Sequence, residues 1–328
     1  MLTRRALGQL ALPLPLALAA PGAAKAQAEW PDRPVRVVVP FGPGGAIDIL
    51  IRLMAPHFPA LAHGQALLVE NRPGAGGTIG ANVTAQARPD GHTLLMAEQG
   101  SGLLAHELYR GLPYDPRSAF TPICFLAALP MVLLVRADMP ARSVAEFLAL
   151  ARSKPGGMTY GSVGTGHISH LTAELLASRA QARMLHVTYR SGAEVVTAIA
   201  RGDIDFTINS LSSAAPSLQS GQGRALAVTT AERLPGMPEV PTIEATLPGV
   251  AATLWYGLVG PAGMPAPLVA RINAVCNAVL AVPEFKAALL QQQGTTPIGG
   301  PPERLAQHFA SEMARWVPVL HAAGVKAE

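Results

Sequence analysis

Apolar and polar positions along the chain recur in units: a short apolar run, a glycine-rich turn, then apolar residues at helical spacing. The first unit is the clearest. Val35 to Val39 form the run, Pro40-Phe41-Gly42-Pro43-Gly44-Gly45 ends it, and Ile47, Leu50, Ile51, Met54 and Phe58 then return every three or four positions. That period marks one face of a helix, so strand, loop and helix follow one another. The pattern repeats with Ala66 to Glu70, the turn Asn71 to Gly77 and a helix carrying Ile79 and Val83, and Thr93 to Ala97 makes a third strand. A second set follows the apolar stretch Phe120 to Val135. It has a helix with Val144, Phe147 and Leu148, a strand Met158 to Ser162, a turn Val163 to Gly166 and a helix with Ile168, Leu171 and Leu175. Ile204, Phe206 and Ile208 alternate with Asp205, Thr207 and Asn209, which buries one face of a strand and turns the polar face toward a cleft. Arg224 to Thr230 and Leu254 to Val259 add strands, and an amphipathic helix runs from Pro267 to Leu280.

Repeated β-loop-α units predict an α/β fold with mostly parallel sheets flanked by helices. About 300 residues exceed one ordinary core, so two lobes are expected. Crossings near residues 128 and 251 would give one lobe from 29–127 with 252–328 and another from 128–251.

The N-terminus has a different grammar. Arg4 and Arg5 precede an apolar run from Leu10 to Ala20, and small residues follow around Ala24, Ala26 and Ala28. Residues 1–28 therefore read as a cleaved export signal, with Thr3-Arg4-Arg5-Ala6-Leu7 similar to a twin-arginine signal, and the mature chain as periplasmic. The run is shorter than the roughly 20 apolar residues that span a bilayer. Loss of Arg4, Arg5 and Lys25 takes the formal charge from +4 to +1, and aromatic residues make up only 5% of the chain. Neither a basic stripe nor a stacking platform for nucleic acid is left. The two cysteines, Cys124 and Cys276, are far apart in sequence, and their pairing stays open.

Three loops each follow a strand, carry glycine and open a helix: Gly42 to Ala46, Gly74 to Thr78 and Gly161 to Gly166. The first amides of a helix lack internal partners and sit at its positive end, so such loops suit a carboxylate or phosphate. Glycine also makes ordinary tight turns; three such loops facing one another across a cleft would make a site. Nucleotide binding fails on spacing, because Ile47, Ile79 and Ser169 stand where a dinucleotide fingerprint needs its third glycine. No lysine is placed for a phosphate loop, and no cofactor is expected. Tyr160 stands where a serine-hydrolase elbow around Ser162 needs glycine. His167 and His170 lack a third ligand at matching spacing, so no metal site is expected.

The motifs themselves resemble one family. Pro40-Phe41-Gly42-Pro43-Gly44-Gly45 with Asp48, Asn71-Arg72-Pro73-Gly74-Ala75-Gly76-Gly77 with Gly80-Ala81, Pro89-Asp90-Gly91-His92-Thr93-Leu94-Leu95 and Tyr114-Asp115-Pro116 are similar to those of Bug-type receptors of tripartite tricarboxylate transporters. Tyr160-Gly161-Ser162, His186-Val187 with Tyr189, Pro238-Glu239-Val240-Pro241-Thr242 and Trp255 continue the resemblance in order. It implies a two-lobed periplasmic binding protein, a monomer without catalytic residues, that closes on a small organic carboxylate and presents it to membrane permease subunits. A di- or tricarboxylate, an aromatic acid or an acidic amino acid all fit that expectation. A periplasmic enzyme acting on a small acid is the alternative, and a receptor turned to sensing a third reading. Carried over residue by residue, the ligand positions are Phe41, Gly44, Gly45, Asp48, Ala75, Gly76, Gly77 and Thr78 in the first lobe, and Ser162, Gly164, Thr165, Gly166 and His167 in the second. Asp48 would fix its loop rather than touch an anion, Phe41 would form an apolar wall or pack in the core, and His167 departs from the small hydroxyl residue more common there. Glu98 is expected near the mouth, where it would deter some anions.

Overall fold

The computed structural model describes residues 30–324; residues 1–29, with the expected export signal at 1–28, and residues 325–328 lie outside them. Ten strands form two five-stranded sheets. The first holds β1 (Val35–Val39), β2 (Leu67–Asn71), β3 (Thr93–Ala97), β4 (Phe120–Leu129) and β10 (Leu254–Pro261), in the order β2-β1-β3-β10-β4. The second holds β5 (Met131–Arg136), β6 (Met158–Ser162), β7 (Met184–Thr188), β8 (Phe206–Ser210) and β9 (Gly223–Val228), in the order β7-β6-β8-β5-β9.

The two orders are the same pattern. In each sheet three neighbouring strands run parallel, and one strand delivered from the other lobe is inserted antiparallel before the edge strand: β10 in the first sheet, β5 in the second. The edge strands β4 and β9 therefore point the same way as the parallel ones, and each sheet is mostly parallel, as the β-loop-α grammar predicts. Parallel strands need helical crossovers, and these cover both faces, which is why β1 and β8 are apolar or buried along nearly their whole length.

The apolar stretch Phe120 to Val135 is two strands rather than one. Pro130 cannot donate to a ladder and stands between β4 and β5, where the chain leaves one sheet for the other. It returns between Val228 and Leu254. Thr229 ties the two passages together: its N–H donates to Met131 O at 2.9 Å, and its hydroxyl to Ala252 O at 2.7 Å. Both passages thus run side by side, the arrangement of a two-stranded hinge.

Two elements bury faces that hydrophobicity alone does not single out. In the helix Thr78–Ala85 the side buried on the sheet is Gly80, Ala81 and Thr84, while Ile79 is exposed. A Cβ at Gly80 would stand 2.9 Å from Pro40 Cα, so only small residues let this helix lie so close to β1. The polar face of β8 is buried as well, because its Thr207 donates to Gly161 O at 2.8 Å and only Asn209 reaches the cleft. Among the described residues no single helix is long and apolar enough to cross a membrane.

Candidate functional site

The helix Ala46–Met54 buries Ile47, Leu50, Ile51 and Met54 against the first sheet, and this packing brings its N-terminus to the face of the lobe that meets the second. Gly45 is its N-cap and supplies no side chain, and Gly77 likewise starts the helix Thr78–Ala85 uncapped. On the opposing lobe every helix start near the contact is closed by its own side chain: His167 accepts from Ser169 N–H, Ser191 from Glu194 N–H and Ser210 from Ser213 N–H. The first-lobe helix starts thus carry no side-chain cap, whereas each second-lobe cap takes one of the several free amides of its first turn.

Most loop amides are spent internally. Gly44 N–H donates to Asp48 Oδ2 at 3.0 Å, Gly42 N–H to Arg190 O at 3.0 Å, Gly77 N–H to Gly74 O at 2.9 Å and Gly166 N–H to His170 Nδ1 at 3.0 Å. Ile47 N–H is turned toward the phenolic oxygen of Tyr256. Among the described residues, the amides of Gly45 and Ala46 donate to no acceptor, as do those of Ala75, Gly76, Thr165 and Gly192; of these, Gly45, Ala46 and Gly192 line one cavity, the first two at one helix end.

Asp48 is buried beneath this end and accepts from Gly44 N–H, from Arg52 Nε at 2.9 Å and from Asn71 Nδ2 at 2.9 Å. Burial alone would raise its pKa; the hydrogen bonds from Arg52, Gly44 and Asn71 and the Arg52 charge outweigh it and hold the carboxyl below its ordinary value. Asn71 also donates to Phe41 O at 3.0 Å, so Asp48 and Asn71 together lock the loop from Phe41 to Gly45. Gln293, at the end of the helix Pro283–Gln293, holds the other side by donating to Ala46 O at 2.8 Å.

A cavity of ≈ 20 Å³ lies at this end. Phe41, Gly45, Ala46, Ile47, Leu254 and Tyr256 line it from the first lobe, and Val163, His167, Gly192, Asn209, Ser210 and Ser213 from the second. Phe41 and His167 meet edge to face across it, ring centroids 5.3 Å apart. Burial pushes the His167 imidazole down to about 3, so it is neutral at physiological pH. Its Nδ1 accepts from Ser169 N–H at 3.1 Å, which puts the ring proton on Nε2 and leaves an N–H donor without a charge.

The sequence-derived positions fall into two groups. Phe41, Gly45 and His167 line the cavity, with Gly44 and Asp48 directly behind the first loop. Ala75 to Thr78 and Ser162 to Gly166 meet each other beside it: a Cβ on Gly164 would stand 2.9 Å from Gly76 Cα, and Thr78 Oγ1 donates to Ala75 O at 2.8 Å. Ser162 is fully buried, bonded to Gly164 and 2.6 Å from His186 Nε2. Sequence reasoning missed Gly192, Ser210, Ser213 and Tyr256, and had Asn209 on a cleft-facing strand face without naming it as a ligand position. The Ser191-x-x-Glu194 capping pattern and the Asn209 end of the alternating strand were the available signals. Glu98 is not at the mouth. It is fully buried under the turn after β3, accepting from Gly100 N–H and Ser101 N–H at 2.7 Å each, and burial raises its pKa despite those donors. His167 and His170 spend Nδ1 on Ser169 and Gly166, and among the described residues no group of three or more His, Cys, Asp or Glu side chains is placed to hold a metal ion.

A binding cavity between two sheets joined by a double passage defines the class of two-lobed solute-binding proteins. Residues 58–325 match the family described as tripartite tricarboxylate transporter family receptor, and the chain belongs to it. It is 40% identical over 294 residues, 89% of this chain and 86% of the other, to a UPF0065 protein in the tcbD-tcbE intergenic region of Pseudomonas sp. strain P51. Among solved structures it is similar to R. palustris Rpa4515 with adipate, with 34% identity, a TM-score of 0.86 and coverage of 91% and 99% of the two chains. It is also similar to the periplasmic binding protein BugD, with 29% identity, a TM-score of 0.84 and coverage of 91% and 100%.

Proposed function

We propose that the chain is a periplasmic receptor that closes its two lobes, 29–127 with 252–328 and 128–251, on a small dicarboxylate and hands it intact to membrane permease subunits. The observation that carries this reading is the uncapped helix start at Gly45 and Ala46, enclosed between Phe41 of one lobe and His167 of the other. One carboxylate of the ligand takes the two amides; His167 Nε2–H and the Ser210, Ser213 and Asn209 side chains receive the remainder of the molecule. The adipate bound to the R. palustris relative supports the ligand class.

Energies require the closing motion. Micromolar capture needs about 8 kcal/mol, whereas one helix end contributes about 0.3–2 kcal/mol. Charge-assisted hydrogen bonds of about 1.5–3 kcal/mol each, made stronger as water leaves, supply the rest. The cavity of ≈ 20 Å³ has room for about one water, so a dicarboxylate enters only when the lobes part at the Thr229 hinge.

One contact favours a second reading, a periplasmic enzyme: Ser162 Oγ and His186 Nε2 are 2.6 Å apart. A buried hydroxyl already bonded to both the N–H and the C=O of Gly164 is poorly placed to attack a substrate, which supports the receptor instead. A thermal-shift screen of mono-, di- and tricarboxylates, aromatic acids and acidic amino acids tests the choice. Saturable stabilisation with the acid recovered unchanged supports the receptor; conversion of the acid overturns it.

A further inference from the structure

Cys124 and Cys276 are far apart in the chain and adjacent in the fold. Cys124 lies on β4, paired with Leu258 of β10, and is completely buried. Cys276 lies on the buried stripe Val269, Ile272, Cys276, Val279 of the helix Ala266–Ala281, which packs on β4. Asn273 fixes the helix on the strand by donating to Ile123 O at 2.7 Å and to Gly300 O at 2.9 Å. One turn further along, Cys276 faces Cys124, close enough for that thiol to perturb it, while Cys124 Sγ lies 3.9 Å from Phe125 O.

We propose that Cys124 and Cys276 are a disulfide-forming pair that closes the first lobe when the chain folds in an oxidising compartment. The reaction is thiol–disulfide exchange with a disulfide donor. Two S–H bonds and the donor's S–S bond break, one S–S bond forms between Cys124 and Cys276, and the two protons and two electrons leave on the donor as two thiols. The donor must act before packing is complete. In the folded chain both sulfurs are out of reach, and the neighbouring Cys124 thiol together with burial raises the Cys276 thiol well above its ordinary range, so little thiolate is present to attack. The redox state is therefore set where the chain folds and is kept afterwards.

The position of the bond determines what it does. Residues 125–275 contain the whole second sheet and both hinge passages, and a cross-link at their two ends restricts the unfolded chain strongly. Both sulfurs belong to the first lobe and neither lines the inter-lobe cavity. Stability should change with oxidation, and ligand affinity should not. This separates the proposal from the binding account, which can fail without affecting it.

The experiment starts from reduced, denatured mature chain, refolded with glutathione disulfide in one arm and with dithiothreitol in the other. Each sample is denatured with iodoacetamide, without further reductant, and digested. The oxidised arm is expected to yield Cys124 and Cys276 peptides joined and unalkylated, with a melting temperature about 5 °C or more above the reduced arm. The Cys276→Ala chain should show no difference between arms. Alkylation of both cysteines in the oxidised wild-type chain, whatever the variant does, overturns the proposal.

Discussion

His167 of the second lobe stands edge-on to Phe41 of the first, 5.3 Å between ring centroids, with its Nδ1 turned back on Ser169. One residue thus caps its own helix, closes the apolar wall and presents a neutral donor to the cavity. In His167→Asn the cap is kept, because asparagine accepts the same N–H, while ring and Nε2 donor are lost. Dicarboxylate affinity should fall about 10-fold, the equivalent of one hydrogen bond of about 1–1.5 kcal/mol, with little change in melting temperature. Calorimetric titration of both chains checks it.

Three imidazoles in the second lobe are held neutral. Burial depresses His167 and His170 to about 3 and His186 to about 4, with the other imidazoles adding to the effect on His170. The unfolded chain protonates near 6.5 and the folded chain does not, so the unfolded state binds more protons between these values. Stability should therefore fall as pH drops from 6.5 toward 4, by up to about 1.4 kcal/mol per pH unit for each imidazole. Denaturant midpoints measured across this range should show the slope, and His186→Gln should reduce it.

Gly42 marks where the lobes touch. Its N–H donates to Arg190 O at 3.0 Å, and a Cβ there would stand 3.3 Å from the same oxygen and 3.4 Å from Ser191 Cβ. The backbone does not need glycine at this position, so Gly42→Leu acts as a wedge between lobes. Affinity should drop at least 10-fold while the melting temperature stays within a few degrees of wild type. Small-angle scattering with saturating ligand should show the wedged chain still extended.

Asp48 supports the cradle from below. Asp48→Ala leaves the Gly44 N–H and one of the two Asn71 Nδ2 hydrogens without an acceptor, a loss of about 1–3 kcal/mol in unfolding free energy, and loosens the loop that presents Gly45, which Asn71 then holds only through Phe41 O. Because the folded carboxyl is depressed, its stabilisation is complete above its ordinary value of 3.8 and disappears as pH falls through the lower folded value. Urea denaturation at pH 7 and pH 3 should show a large difference between Asp48→Ala and wild type at the first and a smaller one at the second.

Much of the fold was legible because each β-loop-α unit is local: Val35–Val39, its glycine turn and Ile47 to Met54 declare strand, loop and helix within twenty residues. The first half of the site was legible for the same reason, since Phe41, Gly45 and Asp48 belong to one such unit. The second half was assembled by tertiary contact. Tyr256 reaches the cavity on a strand inserted from the other end of the chain, and Gln293 holds Ala46 O from the C-terminal end of a helix that the hydrophobic pattern did not single out. Glu98 was misplaced because a carboxylate followed by Gln99-Gly100-Ser101 reads as solvated loop until the π-helical turn Gly100–Leu104 folds over it. That Gly80 and Ala81 rather than Ile79 face the sheet could not be read from hydrophobicity, because it follows from the close approach of Gly80 to Pro40.

The proposed carboxylate site is the helix end at Gly45 and Ala46, between Phe41 and His167. A crystal structure of the mature chain with the dicarboxylate that stabilises it most tests this directly. One carboxylate should lie within hydrogen-bonding distance of the Gly45 and Ala46 nitrogens, with His167 Nε2 toward the rest of the ligand. A carboxylate held elsewhere, with those two amides facing water, would contradict it.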